Sequence, residues 1–406
     1  MNIKERFLKY VSLDTQSNPS SGLHPSSKKE FALGNLLVEE LHSLGIENAF
    51  IDEYCYVYAF IPTNCNSTKT VGLIAHMDTA PDASGENVKP RIIDFYTGNI
   101  ITVNEELNIK LDPKEFPRLN KQLGHELITT DGTTLLGADD KAGIAIIMDA
   151  ISNIDMIEHP NIIITFTPDE EIGEGTEKFN FEYYKEHNCS LAYTLDGDDP
   201  SIINYENFNA ASAIVKIHGK SIHPGSAKGK MINSMHLGME FHNMLPVYKT
   251  PENTEKYEGF NHLHGMSGNV EETTLAYIIR NHDLKEFESQ KEEFKRITEY
   301  LNNKYGENLF ELTIADSYFN MKEIVLNHHE ALEYINEALI MSGLNPETEP
   351  IRGGTDGARL SFGGIVTPNL GTGGANCHGP YEYVDVDEMK AMVRVVHNLL
   401  QIISEK

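Results

Sequence analysis

Four apolar runs in this chain end abruptly in histidine or acid. Leu73-Ile74-Ala75 runs into His76-Met77-Asp78, and Leu135-Leu136-Gly137-Ala138 into Asp139-Asp140. Ile162-Ile163-Ile164-Thr165-Phe166 passes through Thr167-Pro168 into Asp169-Glu170-Glu171, and Leu191-Ala192-Tyr193-Thr194-Leu195 ends at Asp196. Short continuous apolar runs mark strands buried on both faces. Helical spacing lies between and around them, over 2–11, 28–44 and 142–151. Strands alternating with helices argue for an α/β core, whose strand ends share one crevice. One acid at such a point is a helix cap or a turn, because a negative charge is favoured at a helix start. Four strand ends bearing imidazole or carboxylate point instead to a bound cation.

Length and charge narrow the classes. At 406 residues the chain has room for two domains. Its 33 Lys and Arg stand against 61 Asp and Glu, a net charge of −28, which argues against nucleic acid and anionic membranes as partners. No run reaches the ~18 apolar residues of a membrane span, and the first residues lack the apolar core of a signal peptide. The four cysteines, Cys55, Cys65, Cys189 and Cys377, have no C-x-x-C spacing, which fits a reducing, cytoplasmic compartment. A metal site here must therefore use nitrogen and oxygen ligands.

Further strands are expected at 54–61, 161–166 and 191–195, and a helical segment near 177–187. The texture changes near Asn207. Alternation over 210–218, helical spacing over 231–245, a strand at 273–279 paired with residues before it, a long charged helix over 284–305 and a strand over 309–317 give the order β-α-β-β-α-β. That is the order of a ferredoxin-like α+β insert. The expected domains are 1–207, an inserted 208–319, and 320–406, which resumes the first with helices at 331–342 and 386–403 and a strand at 365–370.

His76 and Asp78 are two apart on an extended chain and leave the same face, so a carboxylate can fix the tautomer of the imidazole. His378 follows the glycine-rich loop Gly371-Thr372-Gly373-Gly374, where backbone can approach a ligand closely. The candidate ligands are then His76, Asp139, Glu171, Asp196 and His378. With Asp139 shared, each of two metals receives one histidine, one carboxylate of its own and the bridging aspartate, the composition of an open hydrolytic centre. Such ligation suits two Zn²⁺ ions per subunit, with Co²⁺ or Mn²⁺ as substitutes.

His76-Met77-Asp78, Gly137 to Gly143, Pro168 to Gly173, Asp196-Gly197 and His378 resemble, in order and spacing, the co-catalytic di-zinc exopeptidases that include carboxypeptidase G and the aminoacylases. Stretches outside the metal motifs, such as Asn207 to Ser212, His223-Pro224-Gly225, Tyr277 to Arg280 and Pro350 to Gly357, resemble the tripeptide aminopeptidases within that group. The resemblance implies a mixed-sheet zinc exopeptidase catalytic domain with an inserted lid and dimerisation domain. It implies His76, Asp139 and Asp196 on one zinc, and Asp139, Glu171 and His378 on the other. Asp78 would orient His76, and Glu170 would be the general base, moving a proton from water to the leaving amine. His223 would help bind the oxyanion, Arg280 would take the C-terminal carboxylate of the peptide, and the insert would pair two copies into a homodimer. Cys377 departs from the group's pattern, which has a bulky aromatic beside the ligand histidine.

Alternatives stay open at this stage. Arg352 to Gly357 reads either as an anion-binding helix start, with Arg352 on the substrate, or as close packing through glycine. His262 with His264, and His328 with His329, read as ordinary surface residues. The expected activity is release of the N-terminal residue from tripeptides. A dipeptidase, an aminoacylase or carboxypeptidase, and a silent peptide-binding homologue are the competing readings.

Overall fold

The computed structural model describes residues 1–406. The chain divides into two compact units: Met1–Tyr205, Glu323–Glu349 and Thr355–Lys406 form the first, and Glu206–Lys322 with Pro350–Gly354 the second. The second unit thus also takes the short stretch 350–354, which the sequence reading leaves in the third segment.

The first unit is built on an eight-stranded mixed sheet. Its order is Phe50–Ile51, Val57–Ile61, Asn161–Thr167, Thr70–His76, Ala192–Gly197, Asn369–Gly371, Ile202–Asn204 and Glu347–Thr348. The middle four, from Asn161–Thr167 to Asn369–Gly371, run parallel. Successive side chains on these strands leave opposite faces, and both faces are covered. Val71, Leu73, Ala75, Ile162, Ile164 and Phe166 enter a core with the helices Ile3–Val11, Ala138–Ile151, His329–Met341 and Val386–Glu405. Ile74 and Ile163 enter a second core with Tyr56, Tyr58, Tyr184 and Leu360. That double burial is why the strands read as unbroken apolar runs.

Three expected elements differ. The strand expected over 54–61 begins only at Val57, because Cys55 sits at φ +70 in a turn whose Tyr54 and Tyr56 N–H groups donate to Asp52 Oδ1. The one expected over 365–370 is cut to Asn369–Gly371, since Pro368 has no N–H for the ladder. The helix near 177–187 shrinks to Phe181–Glu186, started by an Asn180 cap on Tyr183 N–H. A small antiparallel sheet of Gly374–Ala375, Tyr383–Asp385, Leu127–Thr129 and Arg91–Ile93 was not foreseen. No helix is long and apolar enough to cross a membrane.

The second unit has the expected β-α-β-β-α-β order. Its antiparallel sheet runs Phe260–Gly268, Glu272–Asn281, Asn209–His218, Phe310–Tyr318. Alternate residues Ala211, Ala213, Val215 and Ile217 bury against Leu237, Phe241, Phe287, Phe294 and Leu301 of the helices Ser234–Met244 and Leu284–Tyr305. This unit therefore carries a core of its own.

Two ion pairs fasten the first unit's helices. Arg6, 2% exposed, donates from Nε to Glu40 (2.7 Å) and from Nη1 to Asp149 (2.5 Å), and Tyr10 donates its hydroxyl to the other oxygen of Glu40. Arg6→Ala leaves Glu40 buried without its cation, and should cost about 3–5 kcal/mol of unfolding free energy in a urea titration. His125 Nδ1 lies 2.6 Å from Asp385, the residue that caps the last helix. Burial lowers the His125 pKa, but the contact with Asp385 outweighs it and raises the folded value. A raised folded pKa stabilises fully below the unfolded value of about 6.5 and ceases to do so as pH rises through the folded value. His125→Asn should therefore lose more stability at pH 5.5 than at pH 9, by under about 1 kcal/mol because the pair is partly solvated.

Candidate active site

The four parallel strands end together, and each delivers a polar side chain. His76 is the last residue of its strand, Asp196 is the penultimate residue of the next, Glu170 and Glu171 follow Thr167 in a short 3₁₀ turn, and His378 comes seven residues after Gly371. Asp139 comes from the start of the helix Ala138–Ile151. Gly137, at φ +82, makes the turn into it, a conformation that suits glycine. Asp139 and Asp140 keep non-helical dihedrals, and the peptide between them is cis. Gly143 lets this helix lie against the neighbouring strand: a Cβ there would stand 2.0 Å from the Leu195 carbonyl oxygen.

Asp139 occupies the middle. Its Oδ1 lies 2.8 Å from His76 Nε2, and its Oδ2 lies 3.2 Å from His378 Nε2. Asp196 Oδ1 stands 3.6 Å from the same nitrogen of His76, and Glu171 Oε2 stands 3.0 Å from that of His378. The five candidate ligands thus come together as two sets, each of one imidazole and one carboxylate, sharing Asp139. Glu171 Oε1 is buried with no hydrogen-bond partner.

Charge in this cluster is far out of balance. Burial would raise the Asp139 pKa, yet hydrogen bonds from His378 and His76 hold it below the usual carboxylate range. Its neighbours move the other way. Burial, then Asp196 and Asp356, push Glu170 well up; burial and Asp139 bring Glu171 to about 8; burial raises Asp196 to about 6 against the pull of His76. His378 is raised to about 11 by Asp139 and Glu171. Two imidazoles cannot neutralise so many buried carboxylates, and nitrogen and oxygen donors with an orphaned acceptor fit divalent cations. In this donor set His76, Asp139 and Asp196 would hold one cation, and His378, Asp139 and Glu171 the other.

The paired acids fasten the loops. Asp78, fully buried, lies 3.2 Å from His76 Nδ1, and its two oxygens accept the N–H groups of Glu170 (3.0 Å) and Glu171 (3.2 Å). Asp140 accepts from the N–H of His76 and that of Gly143. Several contributors escaped the sequence reading. Glu382, 1% exposed, accepts three N–H groups of the Leu136–Asp139 turn. Arg118 donates to the carbonyls of Asp198, two residues beyond Asp196, and of Gly374, four before His378, and pairs with Glu388. Lys141 donates to the Leu13 carbonyl while burial lowers its pKa to about 8, and Glu30 receives the N–H of Asp169. A Glu four residues after a ligand histidine is a signal that could have been weighed; Arg118 gave none.

The expected substrate residues all lie in the second unit. His223 is an exposed residue whose Nδ1 accepts the Gly225 N–H. Arg280 lies in the strand Glu272–Asn281, over the Tyr318 ring (5.2 Å), with Nη1 donating to the Ile279 carbonyl. Arg352, expected on the substrate, has both Nη nitrogens engaged within the unit. Its Nη1 donates to the carbonyls of Lys256 and Glu258, its Nη2 to Thr254, and its guanidinium lies over Phe208 and Phe260. With its donors turned onto backbone, it clamps the 254–258 loop rather than facing a ligand. At the neighbouring helix start the packing alternative also gains: a Cβ on Gly357 would meet the Thr367 carbonyl at 2.6 Å, and Thr355 already accepts the Gly357 N–H.

Residues 205–308 match the family model of the peptidase dimerisation domain. Peptidase T of Alkaliphilus oremlandii is 48% identical over 410 residues, covering 100% of both chains, and peptidase T of Caldanaerobacter subterraneus is 50% identical over 408, covering 100% of this chain and 99% of its own. The chain belongs to the peptidase T family. As a peptidase T family member it has the fold of solved relatives: aminopeptidase PepT from Bacillus cereus superposes with a TM-score of 0.77 at 21% identity, covering 99% of this chain and 98% of that one. A tripeptidase from Staphylococcus aureus gives 0.78 at 21% identity, covering 100% and 98%. A dinuclear metal binding peptidase of the M20 family from Bacillus subtilis gives 0.62 at 14%, covering 99% of each chain. Family membership makes this chain a peptidase, with a mixed-sheet catalytic unit and an inserted antiparallel unit.

Proposed function

We propose that the chain is a two-metal aminopeptidase that releases the N-terminal residue of tripeptides and pairs into a homodimer through its inserted unit. One observation carries the reading: Asp139 presents one oxygen to each of two imidazoles, each with a second carboxylate beside it. Membership of the peptidase T family supports the substrate class, and the match of 205–308 to a dimerisation domain supports the pairing. Nitrogen and oxygen donors favour Zn²⁺, with Co²⁺ or Mn²⁺ as substitutes. The ions, when bound, would supply Lewis acidity toward the scissile carbonyl and a water.

The chain's own residues do the rest. Glu170, next to a ligand and held by Asp78 through its N–H, takes the proton of the attacking water and returns it to the leaving amine. Asp78 acts on three groups at once, orienting His76 and fixing both glutamates, so it keeps base and ligands in register. His223 is assigned to the developing oxyanion. Arg280 is assigned to the C-terminal carboxylate of the peptide, a task that suits a planar, forked donor. Arg352 is given no substrate role, since its donors are engaged.

The test is release of free amino acid from an unblocked tripeptide, its N-acetylated twin and the matching dipeptide, before and after chelation. Cleavage confined to the unblocked tripeptide, lost on chelation and restored by Zn²⁺, is expected; preference for the acetylated twin would overturn the assignment. Glu170→Ala should lower turnover by about 10²–10⁴-fold while two equivalents of metal remain bound, measured by metal analysis beside the assay. Arg280→Ala should raise KM about 10- to 100-fold for tripeptides, the size of a lost charged hydrogen bond, and much less for their C-terminal amides. Equal effects on both substrates would remove the arginine from that role.

A further inference from the structure

The helix that carries Asp139 is capped by Asp140 only at the Gly143 N–H, which leaves the N–H groups of the preceding turn to another acceptor. Gly137 at its N-cap has no side chain to offer, although helix starts leave N–H groups that need acceptors. Neither acid that follows can fill the gap alone. The Asp139 carboxylate is turned to the two imidazoles, and that of Asp140 is spent on the N–H groups of His76 and Gly143.

The acceptor comes from 243 residues further along the chain. Glu382 Oε2 takes the N–H of Leu136 (2.6 Å) and of Gly137 (2.9 Å), and Oε1 takes that of Asp139 (3.2 Å). Glu382 is 1% exposed, and its own N–H closes a turn onto the Gly379 carbonyl, directly after His378. One side chain therefore ties the turn that bears Asp139 to the turn that bears His378.

We propose that Glu382 is a positioning residue that sets the spacing of Asp139 from His378, and so the affinity for the cation that these two and Glu171 would share. This rests on the two-metal reading above. The other cation's private ligands, His76 and Asp196, come from strands of the central sheet, which have no tie to Glu382. Asp139 would serve both cations, so losing Glu382 should weaken most the site two of whose ligands, Asp139 and His378, both sit on the tied turns, and the other site less. Outer partners of metal ligands set affinity by about 10- to 100-fold. Glu382→Gln keeps the shape but puts an amide donor against one of the three N–H groups.

The experiment is a Zn²⁺ titration of metal-free protein against a chromophoric chelator, with Co²⁺ absorption as a second signal, on wild type, Glu382→Gln and Arg6→Ala. Wild type should bind two equivalents; if it binds none, the two-metal reading fails and the inference falls with it. Glu382→Gln should bind one equivalent close to wild-type affinity and the other, which loses two positioned ligands, about 10- to 100-fold more weakly, with an altered Co²⁺ spectrum. Its kcat should recover in excess Zn²⁺ while KM is unchanged. Arg6→Ala, destabilised far from the centre, should bind both equivalents as wild type does. Two tight equivalents in Glu382→Gln, or equal weakening in Arg6→Ala, would overturn the inference. Glu382→Met, of similar volume without the charge, serves if the glutamine variant does not fold; failure of both to fold would make Glu382 a requirement of the fold and sink the positioning role.

Discussion

The carboxylate of Asp139 lies between two imidazoles, and the local architecture of the catalytic unit exists to hold it there. Buried acids repel one another, and each is costly to ionise away from water. Asp139 alone is drawn below the ordinary range, because it has a histidine on each oxygen, while Glu170, Glu171 and Asp196 around it are driven upward. A chain left to itself would relieve such a cluster by rotating side chains apart. Here the backbone is fastened on every side: Asp78, Asp140 and Glu382 each take two or more N–H groups from the loops that bear the ligands.

The acids therefore occur in pairs with divided work. In each of the pairs His76 and Asp78, Asp139 and Asp140, one member faces the centre and the other accepts hydrogen bonds from a neighbouring segment. The division follows from strand and turn geometry, which sends residues one or two apart in different directions or side by side. Burial still raises two of the fastening carboxylates, Asp140 well above the usual range and Glu382 to about 7, while the N–H groups each accepts pull the other way.

This pairing decides what the sequence could disclose. The central strands were legible because burial on both faces writes an unbroken apolar run, and the candidate ligands stand out because they lie where those runs stop. The small sheet was not, since its strands are only two or three residues long and carry no periodicity. Glu382 and Arg118 were missed for a different reason. The groups they hold near the site are backbone groups that lie far away along the chain, and a backbone N–H or carbonyl has no letter in the sequence. The adjacent acids, read first as a cap or a ligand, turn out to be neither alternative alone: Asp140 accepts the Gly143 N–H and also the His76 N–H, so it is cap and fastener together.

Two arginines of the inserted unit, Arg280 and Arg352, show the same limit from the other side. Arg280 and Arg352 both follow apolar residues near glycine or asparagine, and sequence alone gives both the same donors. Arg352 spends them on three residues of one loop and lies over two phenylalanine rings that touch each other, which is the work of a clamp. Arg280 rests on the Tyr318 ring and gives one nitrogen to strand carbonyls. Both guanidiniums lie over aromatic faces, but Arg352 gives both of its Nη nitrogens to one loop and Arg280 gives Nη1 to strand carbonyls. The difference between the two arginines thus lies in side-chain environment and not in residue type.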